Sequence, residues 1–181
     1  TQDVEVSALQ VFRATINERS PEIRVSVTHL LIKALGVAMA ELPTTNRIWV
    51  DDKILAFNQV DIGMVTETAD GLRVPIIRDA GRRTLKEVAI EARTLASRAQ
   101  DDSLTQKEVG GGSVSISNVG MFGASSLIPI INPPQAMILG VGSEQALFRP
   151  DAAGHPVLHK EICLTLACDH RVHDGADAAR L

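Results

Sequence analysis

Apolar positions along the chain recur with two periods, and each period predicts a different kind of element. Asp3–Ser7 alternates as a short strand. Ala8–Glu18 carries Leu9, Val11, Phe12 and Ile16 at helical spacing. Thr28–Glu41 is apolar nearly all round, through Leu30, Leu31, Ala34, Leu35, Val37 and Ala38, as a well-buried helix must be. Pro43 stops it. Over Leu85–Gln100 an apolar stripe of Leu85, Val88, Ala89, Ala92, Leu95 and Ala96 lies opposite a charged face. Thr84 as N-cap and Glu87 three residues on form a capping box at its start. Between these helices Arg47–Val50, Ile54–Phe57, Val60–Thr66 and Leu72–Arg78 read as strands. Asp51–Asp52 and Ala69–Gly71 form the turns, and Pro75 favours an edge or bulge.

The last third changes character. Ser113–Asn118 alternates Ser with apolar residues, then Gly120, Gly123 and Ala124–Ser126 form a loop. Leu127–Ile131, Ala136–Val141 and Ile162–Ala167 read as buried strands, with Ala146–Phe148 a weaker one. Asp151–Gly154 turns between two of them, and Asp174–Leu181 begins a helix. A few helices among many strands predict an α+β (α/β) sandwich, with helices packed on one mixed β-sheet.

Composition narrows the function. At 181 residues, 45% hydrophobic and 22% charged, the chain is one soluble globular domain. A net charge of -4 argues against nucleic acid as a partner. Four Phe, one Trp and no Tyr leave little for base stacking. The longest apolar run, Leu127–Leu139, is broken by Pro129, Asn132, Pro133, Pro134 and Gln135, so no membrane span is expected. Cys163 and Cys168 read as small buried hydrophobes on opposite faces of a strand, in a reducing compartment. The chain starts at Thr1 without Met and ends at Leu181 inside a helix, which marks it as a fragment of something longer.

Candidate chemistry concentrates in Asp169–Gly175 (DHRVHDG), where five of seven residues ionise directly after the greasy ICLTLAC. Such a cluster at the end of a buried strand is costly unless paired or functional. His170 and Asp174, four apart, can face one another or a common cleft, and His170 is a natural general base for a thiol or alcohol. Asp169 and Arg171 have a plainer use as a pair, and His173 as a solvated loop residue. A metal site from His170, His173, Asp169 and Asp174 lacks the Cys-x-x-Cys or His-Glu-x-x-His spacing, so none is expected. His29, His155 and His159 have no organised neighbours and read as structural or solvated. Gly110–Gly123 (GGGSVSISNVGMFG) is neither a P-loop nor a dinucleotide fingerprint, and there is no G-x-S-x-G elbow. Ser115 and Ser117 share a strand face, where one hydroxyl could serve an oxyanion.

DHRVHDG closely resembles the DHR-x-x-DG signature of the 2-oxoacid dehydrogenase acyltransferases. Asn46–Asp70, GLRVPIIRDA, SISNVGMFG and IINPPQAMILGVG resemble that family's catalytic domain in its order, over nearly the whole chain. SNVGMFG together with IINPPQ is most similar to its acetyl-transferring members, which serve pyruvate dehydrogenase complexes. The resemblance implies a chloramphenicol-acetyltransferase-like fold and a homotrimer that builds a larger core. It implies an active site in a channel between two subunits, with dihydrolipoamide entering at one end and coenzyme A at the other. His170 carries over as the general base. Ser117 carries over as the oxyanion donor from the neighbouring subunit, and Asp174 as the supporting motif residue. The lipoyl group would sit on a separate domain. That domain and a peripheral-subunit-binding domain would lie outside residues 1–181, and the decarboxylase and dihydrolipoamide dehydrogenase components would be met through such domains. Bacterial cytoplasm or mitochondrial matrix would be the location. No coenzyme A contact is assigned. Arg73, Arg78 and Lys33 lie near the resembling stretches, but surface solvation serves each equally.

Three departures from the family stand out: His173 where Val or Ile is usual, a shortened start and end, and a compressed Asn17–Arg24. The alternatives are the same chemistry on a branched-chain, succinyl or acetoin-derived acyl group, a non-catalytic core scaffold, and a free-standing small-molecule acetyltransferase.

Overall fold

A computed structural model describes residues 1–181. The order is β1 (Gln2–Glu5), α1 (Ser7–Arg19), α2 (Val27–Glu41), β2 (Arg47–Val50), β3 (Lys53–Ala56), β4 (Ile62–Met64), β5 (Thr66–Thr68), β6 (Gly71–Arg73) and β7 (Ile76–Ile77). Then follow α3 (Leu85–Gln100), α4 (Gln106–Val109), β8 (Val114–Asn118), β9 (Met137–Val141), β10 (Gln145–Pro150), β11 (Pro156–Cys168) and α5 (Gly175–Arg180).

Seven strands form one mixed sheet in the order β1-β11-β9-β8-β4-β7, with β10 on β11. β4, β8 and β9 run parallel, and the other pairings are antiparallel. β11 is long enough to serve β10 along Pro156–Glu161 and β9 along Leu164–Cys168. Two small hairpins, β2–β3 and β5–β6, stand apart from the sheet.

Side chains alternate across a strand, so the sheet has two unlike faces. Ile62, Met64, Val114, Ile116, Met137, Val141 and Ile162 point to one side and join Ile32, Leu35, Met39, Val88, Ala92 and Leu95 of α2 and α3 in the main core. Full burial of each such side chain is worth about 1.5–3 kcal/mol. Among the residues that alternate with these, Gly63, Ser113, Ser115, Ser117 and Gly140 present small or polar groups. The expected helix boundaries match α1, α2 and α3 closely. Both helix starts are capped: Thr84 and Glu87 form the predicted box, and at α2 Ser26 pairs with His29, the imidazole Nδ1 accepting from Ser26 N at 3.2 Å.

Two strand expectations fail. Leu72–Arg78 splits into β6 and β7 around Pro75, which has no N–H to give. Leu127–Ile131 is not a strand, and it leaves Ile128 83% and Ile130 90% exposed. This segment lies across β9 instead of pairing beside it. The crossing needs Gly140, where a Cβ would meet Leu127 O at 2.7 Å and Pro129 Cδ at 3.0 Å. No helix is long and apolar enough to cross a membrane.

Candidate active site

The turn that follows β11 is fastened at every residue but one. Asp169 N donates to Ala136 O at 2.8 Å, and Asp169 O accepts from Val172 N and His173 N, each at 3.0 Å. The Asp169 carboxylate accepts Arg171 N at 3.0 Å and the Arg171 guanidinium at 2.7 Å. Bonds from Arg171 hold that carboxyl below its ordinary pKa. Arg171 also lies over the Trp49 ring, 5.6 Å from its centroid. Val172 is buried with Ile48 and Ala136, against the edge of Trp49, Val50 and Phe57. Asp174 caps α5, its Oδ1 accepting Asp177 N at 2.8 Å. His170 is exposed, as Arg171 and Asp174 are, but its imidazole is free of any hydrogen bond within the chain.

Asp169 and Arg171 therefore pair as the plainer reading expects. His173 does not follow its expectation. It is 2% exposed rather than solvated, and neither ring nitrogen has a hydrogen-bond partner. Burial lowers its pKa, and the Arg47 charge adds to the effect.

Ser117 sits elsewhere. Its row across the sheet is Ser117–Gly140–Thr165, whereas the turn follows the row Val114–Met137–Cys168. Three residues of strand, about 10 Å, separate these rows, and His170 lies beyond the second. One chain thus brings His170 and Asp174 onto one turn and does not bring Ser117 to them. Ser117 is half-buried, and its hydroxyl makes no hydrogen bond within the chain.

Its two neighbours on that face are committed to structure. Ser113 Oγ donates to Asn46 Oδ1 at 2.7 Å, and Asn46 Nδ2 donates to Phe57 O at 3.0 Å and Gln59 O at 2.9 Å. Ser115 Oγ donates to Gln135 Oε1, and Gln135 Nε2 to Gly111 O at 3.1 Å. Asn46 and Gln135 do not stand out in the sequence. Their signal is indirect, a strand of alternating serines whose hydroxyls need buried partners.

The basic candidates are bound rather than merely solvated. Arg78 reaches Asp61 at 2.7 Å and the carbonyls of Lys107 and Gly110 at 2.6 Å. Lys33 Nζ donates to Gly81 O at 2.7 Å. Arg73 keeps only a 3.5 Å contact with Asp102. Cys163 and Cys168 are free and half-buried, less enclosed than expected, and Cys168 packs against the main core. His29 is buried, and desolvation, with Arg93 adding to it, pushes its pKa down to about 4. His155 is exposed beside Asp151. No group of three or more His, Cys, Asp or Glu side chains is placed to hold a metal.

The family model described as 2-oxoacid dehydrogenases acyltransferase (catalytic domain) matches residues 1–181. Component 3 of the dihydrolipoyllysine-residue acetyltransferases of the mitochondrial pyruvate dehydrogenase complex of Arabidopsis thaliana is 38% identical over 184 residues. That match takes in 99% of this chain and 34% of the relative. The corresponding component of Zymomonas mobilis is 38% identical over 182 residues, covering 99% of this chain and 41% of the relative. The chain thus spans less than half the length of these curated relatives. Among solved structures, dihydrolipoamide acetyltransferase of Azotobacter vinelandii superposes with a TM-score of 0.93 at 31% identity, over 99% of this chain and 75% of that one. It was studied for the roles of a serine, a histidine and an asparagine in its catalytic mechanism. A chloramphenicol acetyltransferase at 16% identity and a TM-score of 0.54 shares the fold.

Proposed function

The chain belongs to the family of 2-oxoacid dehydrogenase acyltransferase catalytic domains, and from that premise we propose that it transfers an acetyl group between dihydrolipoamide and coenzyme A in a pyruvate dehydrogenase complex. The observation that carries this reading is the turn after β11. Every residue around His170 is tied down by hydrogen bonds or burial, while its imidazole is left open to a substrate.

His170 is the general base. It takes the proton of the attacking thiol, and the thiolate adds to the thioester carbonyl. Ser117 Oγ–H donates to the oxyanion so formed. The tetrahedral intermediate then collapses, the C–S bond to the departing thiol breaks, and the imidazolium returns the proton to that sulfur. Each thiol ends with the atoms the other began with, so no enzyme nucleophile, redox partner or metal is needed for balance. Asp174 supports the site by capping α5 and closing the turn.

The Azotobacter vinelandii study supports these roles. Its histidine and asparagine stand four positions apart, as His170 and Asp174 do, with Asp in place of Asn. Its serine precedes the histidine by 52 positions, against 53 for Ser117 and His170. The separation of Ser117 from His170 within one chain fits a site shared between neighbouring copies. The reading accordingly includes a homotrimer that builds a larger core. A solved cubic core of the pyruvate dehydrogenase complex, at 31% identity and a TM-score of 0.92, supports it. Residues 1–181 are the catalytic, core-forming domain. The lipoyl group is carried on a separate domain, and the decarboxylase and dihydrolipoamide dehydrogenase components are met through others. The relatives place such proteins in bacteria and in mitochondria, so bacterial cytoplasm or the mitochondrial matrix is the proposed location.

The test offers acetyl-, isobutyryl- and succinyl-coenzyme A in parallel with dihydrolipoamide as acceptor. Release of coenzyme A from the acetyl donor alone, falling roughly 10²–10⁴-fold in His170→Ala, is the expected result. Preference for another donor moves the acyl specificity, and undiminished turnover in His170→Ala refutes the base.

A further inference from the structure

His173 is a buried titratable group that the acyl-transfer mechanism does not use. At 2% exposure its imidazole is enclosed within the turn that carries His170. Its backbone N–H is one of the two bonds to Asp169 O that close that turn, at 3.0 Å. Both ring nitrogens lack a hydrogen-bond partner, although buried polar atoms are seldom left so. The charged groups facing it come from three elements: Arg47 from β2, Asp169 from the turn, and Asp177 from α5. The two carboxylates are already engaged. Asp169 is held by Arg171 at 2.7 Å, and Asp177 accepts from Arg180 at 2.9 Å. Neither completes a bond to His173; the Arg47 carbonyl also faces the ring and favours a proton there, but enclosure and the Arg47 charge outweigh it.

We propose that His173 is a positioning residue for His170: its neutral ring plugs the turn in place, and its protonation releases the turn and withdraws the base. A neutral imidazole is a tolerable core side chain, whereas a buried cation beside the Arg47 charge is costly and is driven toward water. Burial as the leading influence on His173, with the Arg47 charge next, agrees with a ring that is neutral at pH 7 and protonated only in acid. The inference rests on His170 being the base.

Two measurements on the same protein decide it. The first is the pH profile of acetyl transfer for the wild type and His173→Leu. With both imidazoles required neutral, the wild-type rate falls about tenfold more per pH unit than the rate of the variant once His173 protonates. The ratio of variant to wild-type rate, whatever its value at pH 8, climbs as the pH drops. A flat ratio overturns the proposal, because a purely packing role has no pH dependence. The second is an NMR titration of the imidazole signals of the wild type, which does not depend on turnover or on the variant folding. His173 is expected to titrate below 6.5, and the His170 signal to show a second inflection at that same pH. A His173 that titrates at 6.5 or above, or a His170 signal with one inflection, also overturns it. Absence of turnover in both proteins sinks the acyl-transfer reading and leaves the titration to judge the coupling.

Discussion

Asn46 ties the β2–β3 hairpin to the sheet, and its removal has a calculable cost. It is 2% exposed and makes three side-chain hydrogen bonds, one with the fully buried Ser113 and two to the carbonyls of Phe57 and Gln59. Asn46→Ala deletes all three. At about 1 kcal/mol each, plus about 1–2 kcal/mol for the stranded Ser113 hydroxyl, the loss is about 4–5 kcal/mol. Ser113→Ala deletes one bond and strands Asn46 Oδ1, for about 1–3 kcal/mol. The double variant leaves neither group stranded, so it should fall short of the sum by about 1 kcal/mol or more. Trp49, the single tryptophan, lies on β2 and packs at the edge of the Val172 cluster. Urea unfolding followed by its fluorescence therefore reads the hairpin directly. Because Val172 and Arg171 rest on that hairpin, acetyl transfer should fall in parallel in the folded Asn46→Ala protein. A coupling energy near zero, or an Asn46→Ala loss under about 0.5 kcal/mol, would refute the claim that this network anchors the hairpin.

Gly140→Ala would drive a methyl group into Leu127 O and Pro129 and lift the crossing segment off β9, an overpacking cost of about 1–3 kcal/mol. At about 2–4 °C per kcal/mol for a chain of this size, calorimetry should show a clear drop in Tm, and an unchanged Tm would contradict the crossing. His29 is neutral when folded down to about pH 4, while the unfolded chain protonates it near 6.5. Stability is therefore intact above that range and falls as the pH drops through it, by at most about 3 kcal/mol. His29→Gln keeps an acceptor for Ser26 N and should flatten that slope in urea melts taken from pH 7 to 4.

Local rules made much of this fold legible, and long-range contacts account for the rest. The α3 boundaries followed from Thr84, Glu87 and an unbroken stripe, all of which act within a few residues. Asp169–Gly175 announced itself because charged groups directly after an apolar strand need a use. Leu127–Ile131 misled because an apolar run reads alike whether it pairs in a sheet or crosses over one. Only the bare Cα of Gly140, further along the chain, distinguishes the two. His29 escaped notice as a cap partner, since a capping box is read from Glu or Gln at that position and an imidazole accepts just as well. His173 escaped for a similar reason. Its neighbour Arg47 is remote in sequence, and only its place at a motif position where Val or Ile is usual points to an enclosed imidazole.

The division of the candidate site leads to a prediction about assembly. The row of Ser117 and the row of Cys168 lie about 10 Å apart along the strands, with His170 beyond the second, too far for one thioester carbonyl to touch both. If both act in one step, a site takes its histidine from one copy and its serine from the next. The surroundings of Ser117 suit such a contact: Met121 is 84% exposed, Phe122 64%, Ile128 83% and Ile130 90%. Side chains of that kind, gathered beyond the end of β8 and over β9, favour a covering partner. His170→Ala and Ser117→Ala should each be nearly inactive alone, the serine variant by roughly 10²–10³-fold. Unfolded together and refolded as a mixture, they form interfaces at random. About a quarter of these join the intact histidine of one variant to the intact serine of the other, through the head-to-tail contacts of a closed ring. Acetyl transfer should recover to roughly that fraction of the wild-type rate at equal mixing, and it should track the product of the two fractions as the ratio is varied. Recovery that never rises above the two variants assayed separately would mean that both groups act within one chain or that Ser117 takes no part. The dependence on mixing ratio separates a shared site from simple contamination, because contamination is linear in one component and complementation is not.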